Sequence, residues 1–196
     1  YGLSQKSKMI PHKNLDGKTF LISGANGYLG SNLIKYLVNK KSFIFAIYNK
    51  SKKNIKINNH VRLIKCDLTK YNTNNKFPKK VDYIIHLASN PNDRYSVTHK
   101  KNLIMDNNLM DINFFKICEA IKHSKFLYAS SSSAYDDNML RLSNGKYEKE
   151  IDKPYNPDGL YGLSKLLSEK FLENTKLNFT ICRIFSIYGN DSKTVI

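Results

Sequence analysis

Tyr161 and Lys165 stand four residues apart in the stretch Asp158-Gly159-Leu160-Tyr161-Gly162-Leu163-Ser164-Lys165. On a helix that spacing brings both side chains to one face. A phenol is a poor base at neutral pH, but an ammonium beside it favours the phenolate, which can take a proton from a substrate hydroxyl. Pairs of this kind also decorate many helix surfaces without any chemistry, so their meaning depends on what accompanies them. Upstream, Thr19-Phe20-Leu21-Ile22-Ser23 reads as a strand running into Gly24-Ala25-Asn26-Gly27-Tyr28-Leu29-Gly30. Leu29, Leu33, Ile34 and Leu37 then mark one face of a helix. Glycines so placed allow a tight turn, a close approach of backbone N–H groups to a pyrophosphate, and tight packing of helix on strand. The helix N-terminus adds partial positive charge to the same spot. The turn, with Gly24, Gly27, Tyr28, Leu29 and Gly30, therefore implies a dinucleotide site. A nicotinamide dinucleotide would accept hydride from the carbon whose hydroxyl Tyr161 deprotonates, and Lys165 could also bond its ribose.

About 20 residues further on, an acidic residue at the end of the second strand would bind the ribose hydroxyls of NAD. Tyr48-Asn49-Lys50-Ser51 stands there instead. With no carboxylate to repel a 2′-phosphate, and with Asn49, Lys50 and Ser51 able to donate to one, NADP is slightly favoured over NAD. A third polar group is expected where Phe126-Leu127-Tyr128-Ala129 delivers Ser130-Ser131-Ser132-Ser133 to the carboxyl edge of a sheet. A serine hydroxyl there can hold the substrate oxygen beside Tyr161 and share in proton transfer.

The elements that must position these groups follow from hydrophobic patterning. Lys18–Ser23, Phe43–Tyr48, Val61–Lys65, Asp82–Leu87, Phe126–Ser130 and Phe179–Ile184 read as strands, and 28–39, 101–122 and about 158–174 as helices. The strands are continuous apolar runs, as burial on both faces requires. The reading is an α/β, Rossmann-type, doubly wound parallel sheet. Residues 1–16 read as a leader or arm and 17–196 as one dinucleotide-binding domain; 50–60 and 136–156 read as loops.

Composition narrows the class further. The chain has 196 residues and 32 basic against 16 acidic side chains, a formal charge of +16. Only Arg62, Arg94, Arg141 and Arg183 are arginines, and the lysines are scattered without interleaved aromatics. That is not the pattern of a nucleic-acid surface, which relies on arginine forks and stacking, so no nucleic-acid partner is expected. A positive field that attracts phosphorylated small molecules is expected. Cys66, Cys118 and Cys182 sit in apolar stretches without metal-ligand spacing, which implies a reducing, cytoplasmic setting and no metal. No apolar run reaches the roughly 18 to 20 residues of a membrane span, so no membrane partner is expected.

Taken together, these motifs resemble the extended short-chain dehydrogenase/reductases, in their nucleotide-sugar epimerase and dehydratase branch. The resemblance rests on Gly24/Gly27/Gly30, Cys66-Asp67-Leu68, Ile85-His86-Leu87-Ala88, the serine run before Ala134-Tyr135, Tyr161-x-x-x-Lys165 and Arg183-Ile184-Phe185-Ser186-Ile187-Tyr188-Gly189. It implies that Ser131 joins Tyr161 and Lys165 as a catalytic residue. Asp67 and Leu68 would hold the adenine end, Leu87, Ala88 and Ser89 would line the cofactor, and Asn108 would be the helix asparagine near the active site. Ser132, Ser133, Arg183 and Ser186 would face the substrate, a nucleoside-diphosphate sugar. The family also implies a homodimer formed through helices 101–122 and 158–174, and a place in polysaccharide or O-antigen biosynthesis. Family 4,6-dehydratases carry an Asp-Glu pair where this chain has Ser132-Ser133, so elimination of water is not expected. Epimerisation or keto-sugar reduction remains, with a non-catalytic, dinucleotide-sensing module as the alternative. Relatives continue past the last Rossmann strand, so a C-terminal substrate domain is apparently missing from the chain.

Overall fold

A computed structural model describes residues 14–71, 77–90, 103–135, 159–185, 187 and 189. Within them the chain order is β1 (Thr19–Ser23), α1 (Tyr28–Asn39), β2 (Phe43–Tyr48), β3 (Val61–Lys65), β4 (Tyr83–His86), α2 (Leu103–Glu119), β5 (Lys125–Ser131), a 3₁₀ turn (Ser132–Ala134), α3 (Gly159–Glu173) and β6 (Phe179–Ile184). The expected loop 136–156 and nearly all of the expected arm 1–16 lie outside the described residues.

Six strands form one sheet in the order β3-β2-β1-β4-β5-β6, every pair parallel. The expected parallel sheet is therefore present, and its order reverses between β1 and β4. In open α/β sheets the crevice beyond the carboxyl ends at such a reversal is where ligands bind. Alternate side chains of β1 explain the two-sided burial. Phe20 and Ile22 join Ile34 and Leu37 of α1 and Ile44 and Ala46 of β2 on one face. Leu21 joins Ile84, Phe114, Phe115, Phe126 and Leu172 on the other. The second face is the more aromatic, and it covers the site where α2 and α3 meet the sheet.

Two boundaries differ from the sequence reading for physical reasons. β5 runs to Ser131, because its register with β6 continues through Ser130↔Arg183 and Ser131↔Ile184. The helix expected to reach Lys122 stops at Glu119, and Lys122 instead forms a parallel bridge with Lys80.

At the amino end of the sheet, Asp82 ties β4 to β1. Its carboxylate accepts from Thr19 N–H at 2.9 Å and Thr19 Oγ1 at 2.7 Å. These bonds, the backbone one foremost, hold its pKa below 3.8 against the opposing effect of burial, with a lesser contribution from the nearby Lys18. A depressed carboxyl pKa stabilises the fold above the unfolded-state value, and that stability is lost as pH falls through the folded value. Asp82→Asn should therefore cost about 1 kcal/mol at pH 7, after discounting for its partial exposure. The difference should shrink in urea melts as the pH falls through the lowered folded-state value, where the parent carboxyl becomes protonated too.

Candidate active site

β1 ends at Ser23, and the chain turns at Gly24 with φ +68°. A Cβ on Gly24 would lie 2.6 Å from the Leu87 carbonyl carbon and 2.7 Å from Ala88 N. The ends of β1 and β4 thus meet backbone to backbone, an approach no side chain permits. A Cβ on Gly30 would overlap the Gly24 carbonyl oxygen, so α1 also packs directly on the turn. Gly27 N–H closes the turn on Gly24 O at 3.0 Å, and no side chain caps the start of α1. The helix end therefore faces the crevice with backbone alone, the arrangement that receives a phosphate.

A cleft of about 690 Å³ opens on one side of this turn, lined by Gly24, Gly27, Tyr48, Asn49, Lys50, Ser51, Asp67, Leu68, Leu87, Ala88 and Ser89. A second hollow of about 210 Å³ opens on the other side, lined by Gly24, Gly27, Tyr28, Leu29, Gly30, Leu87, Ser89, Ser131, Tyr161 and Lys165. Shared walls at Gly24, Gly27, Leu87 and Ser89 make them two ends of one trough across the carboxyl edge. Asn113 Nδ2 holds Leu68 O at 2.9 Å, and Asp67 Oδ1 accepts from Thr69 N and Oγ1, which fixes the wall after β3. Asn54 bonds Asn26 through its backbone N–H and its side-chain amide, which draws the 50–55 loop to the trough. Ser89 Oγ is buried without a hydrogen-bond partner among the described residues, at the point where the two hollows meet. An extended dinucleotide fits these residues. The glycine cradle suits its pyrophosphate, and Ser89 Oγ awaits a polar partner.

At the Tyr161 end the residues expected to be catalytic converge: Ser131 from the last position of β5, and Tyr161 and Lys165 from α3. Lys165 is only 3% exposed. Its Nζ donates to Ala129 O at 3.0 Å and Tyr128 Oη at 3.3 Å, and lies 4.8 Å from the centre of the Tyr128 ring. Tyr128 Oη donates in turn to Asp111 Oδ2 at 2.5 Å. Asp111 Oδ1 lies 2.8 Å from His86 Nε2. His86 Nδ1 pairs with Ser23 Oγ, which also accepts from Leu87 N–H and Ala88 N–H. With both lone pairs of Ser23 Oγ engaged, its proton goes to His86 Nδ1, which leaves Nε2–H to donate to Asp111.

Charge states follow from the surroundings. Burial pushes His86 below 6.5 and outweighs Asp111, so the imidazole is neutral. Burial would raise Asp111, but the Lys165 charge and the hydrogen bonds from His86 and Ser168 outweigh it, so the carboxylate stays ionised. Burial first, and then Asp111, push Tyr128 well above 10.0, so it remains a donor.

Other expected residues are placed differently. Asn108 is buried, and its amide donates to Ser164 O at 2.9 Å and Ser168 Oγ at 2.8 Å. It joins α2 to α3, whereas its neighbour Asn107 receives Asn90 N–H at 2.8 Å beside the trough. Arg183 grips Glu169 with Nε at 3.0 Å and a second nitrogen at 2.8 Å, and stacks 4.7 Å over Tyr135. Neither Arg183 nor Ser132 and Ser133 lines the trough. Ser133 N–H bonds Ser131 Oγ, and the 3₁₀ turn folds this pair away. Ser186 lies outside the described residues. Asp111, Tyr128 and Glu169 were missed. The available signal was an acid set inside an apolar helical run, at Asp111 among Leu109, Met110, Ile112, Phe114 and Phe115.

The NAD dependent epimerase/dehydratase family model matches residues 20–195. The chain belongs to that family. It is 30% identical to a dTDP-D-glucose 4,6-dehydratase of Dictyostelium discoideum over 86% of this chain and 44% of the relative. It is 27% identical to a GDP-mannose 3,5-epimerase of Oryza sativa subsp. indica over 86% of this chain and 46% of the relative. The Bordetella bronchiseptica enzyme WbmF in complex with NAD+ shares the fold, with a TM-score of 0.71 at 20% identity over 90% of this chain and 52% of that one. WbmF is also known in complex with NAD+ and UDP, with a TM-score of 0.67 at 20% identity over 86% of this chain and 49% of that one. The chain spans about half the length of the curated relatives it matches. Among the described residues no helix is long and apolar enough to cross a membrane, and no cluster of side chains could hold a metal ion.

Arg183→Leu should leave the 2%-exposed Glu169 side chain without its cation and destabilise the fold by about 3 kcal/mol. Replacing both partners with leucine should recover part of that loss in the same chemical denaturation experiment.

Proposed function

We propose that the protein is an NAD(P)-dependent enzyme that moves hydride at a carbon of a nucleoside-diphosphate sugar, as an epimerase or a ketoreductase. One observation carries this reading: two adjoining hollows, one bordered by Tyr48 and Asp67 and the other by Ser131, Tyr161 and Lys165, share Gly24, Gly27, Leu87 and Ser89 as walls. Asp67 and Leu68 would flank the adenosine, the backbone of residues 27–30 the pyrophosphate, and Leu87, Ala88 and Ser89 the middle of the cofactor. A nicotinamide dinucleotide held there would supply a reversible two-electron acceptor for the hydride of the sugar carbon. Tyr161 as phenolate takes the proton of the sugar hydroxyl while that C–O bond becomes a carbonyl, and returns the proton in the reverse step. Ser131 Oγ, at the mouth of β5, donates to the same sugar oxygen. Lys165, one turn along α3 from Tyr161, lines the same hollow and puts its ammonium on the side where the reacting hydroxyl would lie.

Ser132 and Ser133 cannot serve as the acid and base of a dehydration, which supports hydride movement without loss of water. NADP is the preferred form. The end of β2 carries no carboxylate, and Tyr48, Asn49, Lys50 and Ser51 border the wide end of the trough, where a 2′-phosphate would lie. The UDP bound by WbmF supports a nucleotide-linked substrate. Met105 on α2 and Leu167 and Phe171 on α3 are exposed apolar residues, which supports a homodimer through these helices.

Tyr161→Phe should lower kcat by about 10²- to 10⁴-fold and leave the cofactor dissociation constant within about threefold, by fluorescence titration. A wild-type rate in that variant overturns the acid/base assignment. Lys50→Glu should weaken NADP more than NAD by about tenfold, as a carboxylate facing a 2′-phosphate costs more than one facing a hydroxyl. NAD binding at least tenfold tighter than NADP in the parent protein would refute the preference.

A further inference from the structure

Lys165 is a buried ammonium whose direct partners, Ala129 O and Tyr128 Oη, are both neutral. Burying an ammonium without a counter-ion is costly, so a charged Lys165 calls for a compensating charge nearby. A compensating charge lies one hydroxyl away. Tyr128 Oη accepts from Lys165 on one side and donates to Asp111 on the other, so ammonium and carboxylate are joined through a single phenol.

We propose that Asp111 is a positioning residue for the reaction: through Tyr128 its carboxylate serves as counter-ion to Lys165 and holds that lysine, charged, in the hollow that Tyr161 also lines. This inference rests on the acid/base reading of Tyr161 given above.

Each element packed around the pair contributes a group that can be named. β4 brings His86, neutral and donating to Asp111. β5 brings Tyr128, and α3 brings Lys165, Tyr161 and the hydroxyl of Ser168, whose bonding also favours the ionised form of Asp111. The other buried carboxylate of α3, Glu169, is held by both Arg183 nitrogens and by Ser130 Oγ at 2.5 Å, so its charge is already matched. Geometry reinforces the assignment. Asn108 and Asp111 are three residues apart on one face of α2. Asn108 clamps Ser164 O and Ser168 Oγ, the residues on either side of Lys165 along that face of α3, while Asp111 reaches the lysine itself through Tyr128. One helix face thus sets both the height and the charge of the active-site lysine.

The test uses the intact protein and two readouts. The first is the pH at which the ultraviolet tyrosinate signal belonging to Tyr161 appears, isolated by subtracting the Tyr161→Phe variant made in each background. The second is the pH–rate profile of single-turnover cofactor reduction by UDP-, GDP- or dTDP-hexoses. Asp111→Asn keeps the shape and some hydrogen bonding but removes the charge. It should move the tyrosinate signal and the ascending limb up by about one pH unit or more. It should also lower kcat at pH 7 about tenfold, with KM changed far less. Tyr128→Phe keeps the ring under the ammonium and deletes the bridge, so it should shift both readouts in the same direction. If Asp111→Asn does not fold, Tyr128→Phe alone decides. Unshifted readouts in the folded variants, even with a lowered melting temperature, would make Asp111 merely structural and overturn the proposal. If Tyr161→Phe turns over at the parent rate, the acid/base reading itself has failed. If it is inactive while neither variant shifts, only the role of Asp111 is lost.

Discussion

The carboxyl ends of β1 and β4 touch backbone to backbone, with the Leu87–Ala88 peptide occupying the space where a side chain on residue 24 would be. Much of the site follows from that contact. It sets the two strands on either side of the reversal in sheet order close together, and lets α1 start directly over the turn. It also places Ser23 Oγ under the Leu87 and Ala88 N–H groups, which would otherwise be buried without an acceptor at the end of β4. Once the hydroxyl is spent there, the tautomer of His86 is set. The polar chain through Asp111 and Tyr128 to Lys165 then has one consistent direction.

Buried ionic groups are costly, and the α2/α3 side of the sheet carries two carboxylates with almost no access to water, Asp111 and Glu169. Each is satisfied by groups from other elements, so neither adds much net stability over an apolar packing. What they impose is register. Glu169 joins α3 to β5 and β6 through Ser130 and Arg183. Asp111 joins α2 to β4 and β5 through His86 and Tyr128. The aromatic packing around them, with Phe114 4.6 Å and Phe115 5.9 Å from the His86 ring, excludes water and so strengthens the electrostatics. Together these pairs fix α3, which carries Tyr161 and Lys165, against the sheet.

Local patterns made the scaffold legible. All six strands lie within a residue of the ends read from the sequence, because both-face burial forces continuous apolar runs between turn signals. The glycine turn, the serine run after β5 and the Tyr161/Lys165 spacing could be read for a similar reason, since each is tied to a neighbouring turn, strand end or helix spacing, whereas Asp67 and the choice of Ser131 came only from the resemblance to the family. The partnerships of Arg183, Asn108, Asp111 and Glu169 were not legible. Arg183 meets Glu169 across 14 positions, and His86 meets Asp111 across 25. Those meetings depend on how α2 and α3 are rotated against the sheet, which no single stretch of sequence encodes. Asn107 and Asn108 show the same limit at its sharpest. One residue of helix rotation sends one amide to the Asn90 backbone and the other to α3.

The central claim is that the trough carries hydride between a sugar carbon and a nicotinamide while Tyr161 carries the proton. A nucleotide sugar labelled with deuterium at the reacting carbon tests this directly in the intact protein. The account predicts that the label passes to the cofactor, with the near-ultraviolet absorbance of reduced nicotinamide rising during a single turnover. The label should then return to the same carbon without exchange with solvent hydrogen. Loss of the label to water with no change in cofactor absorbance would show proton abstraction at carbon and contradict the account.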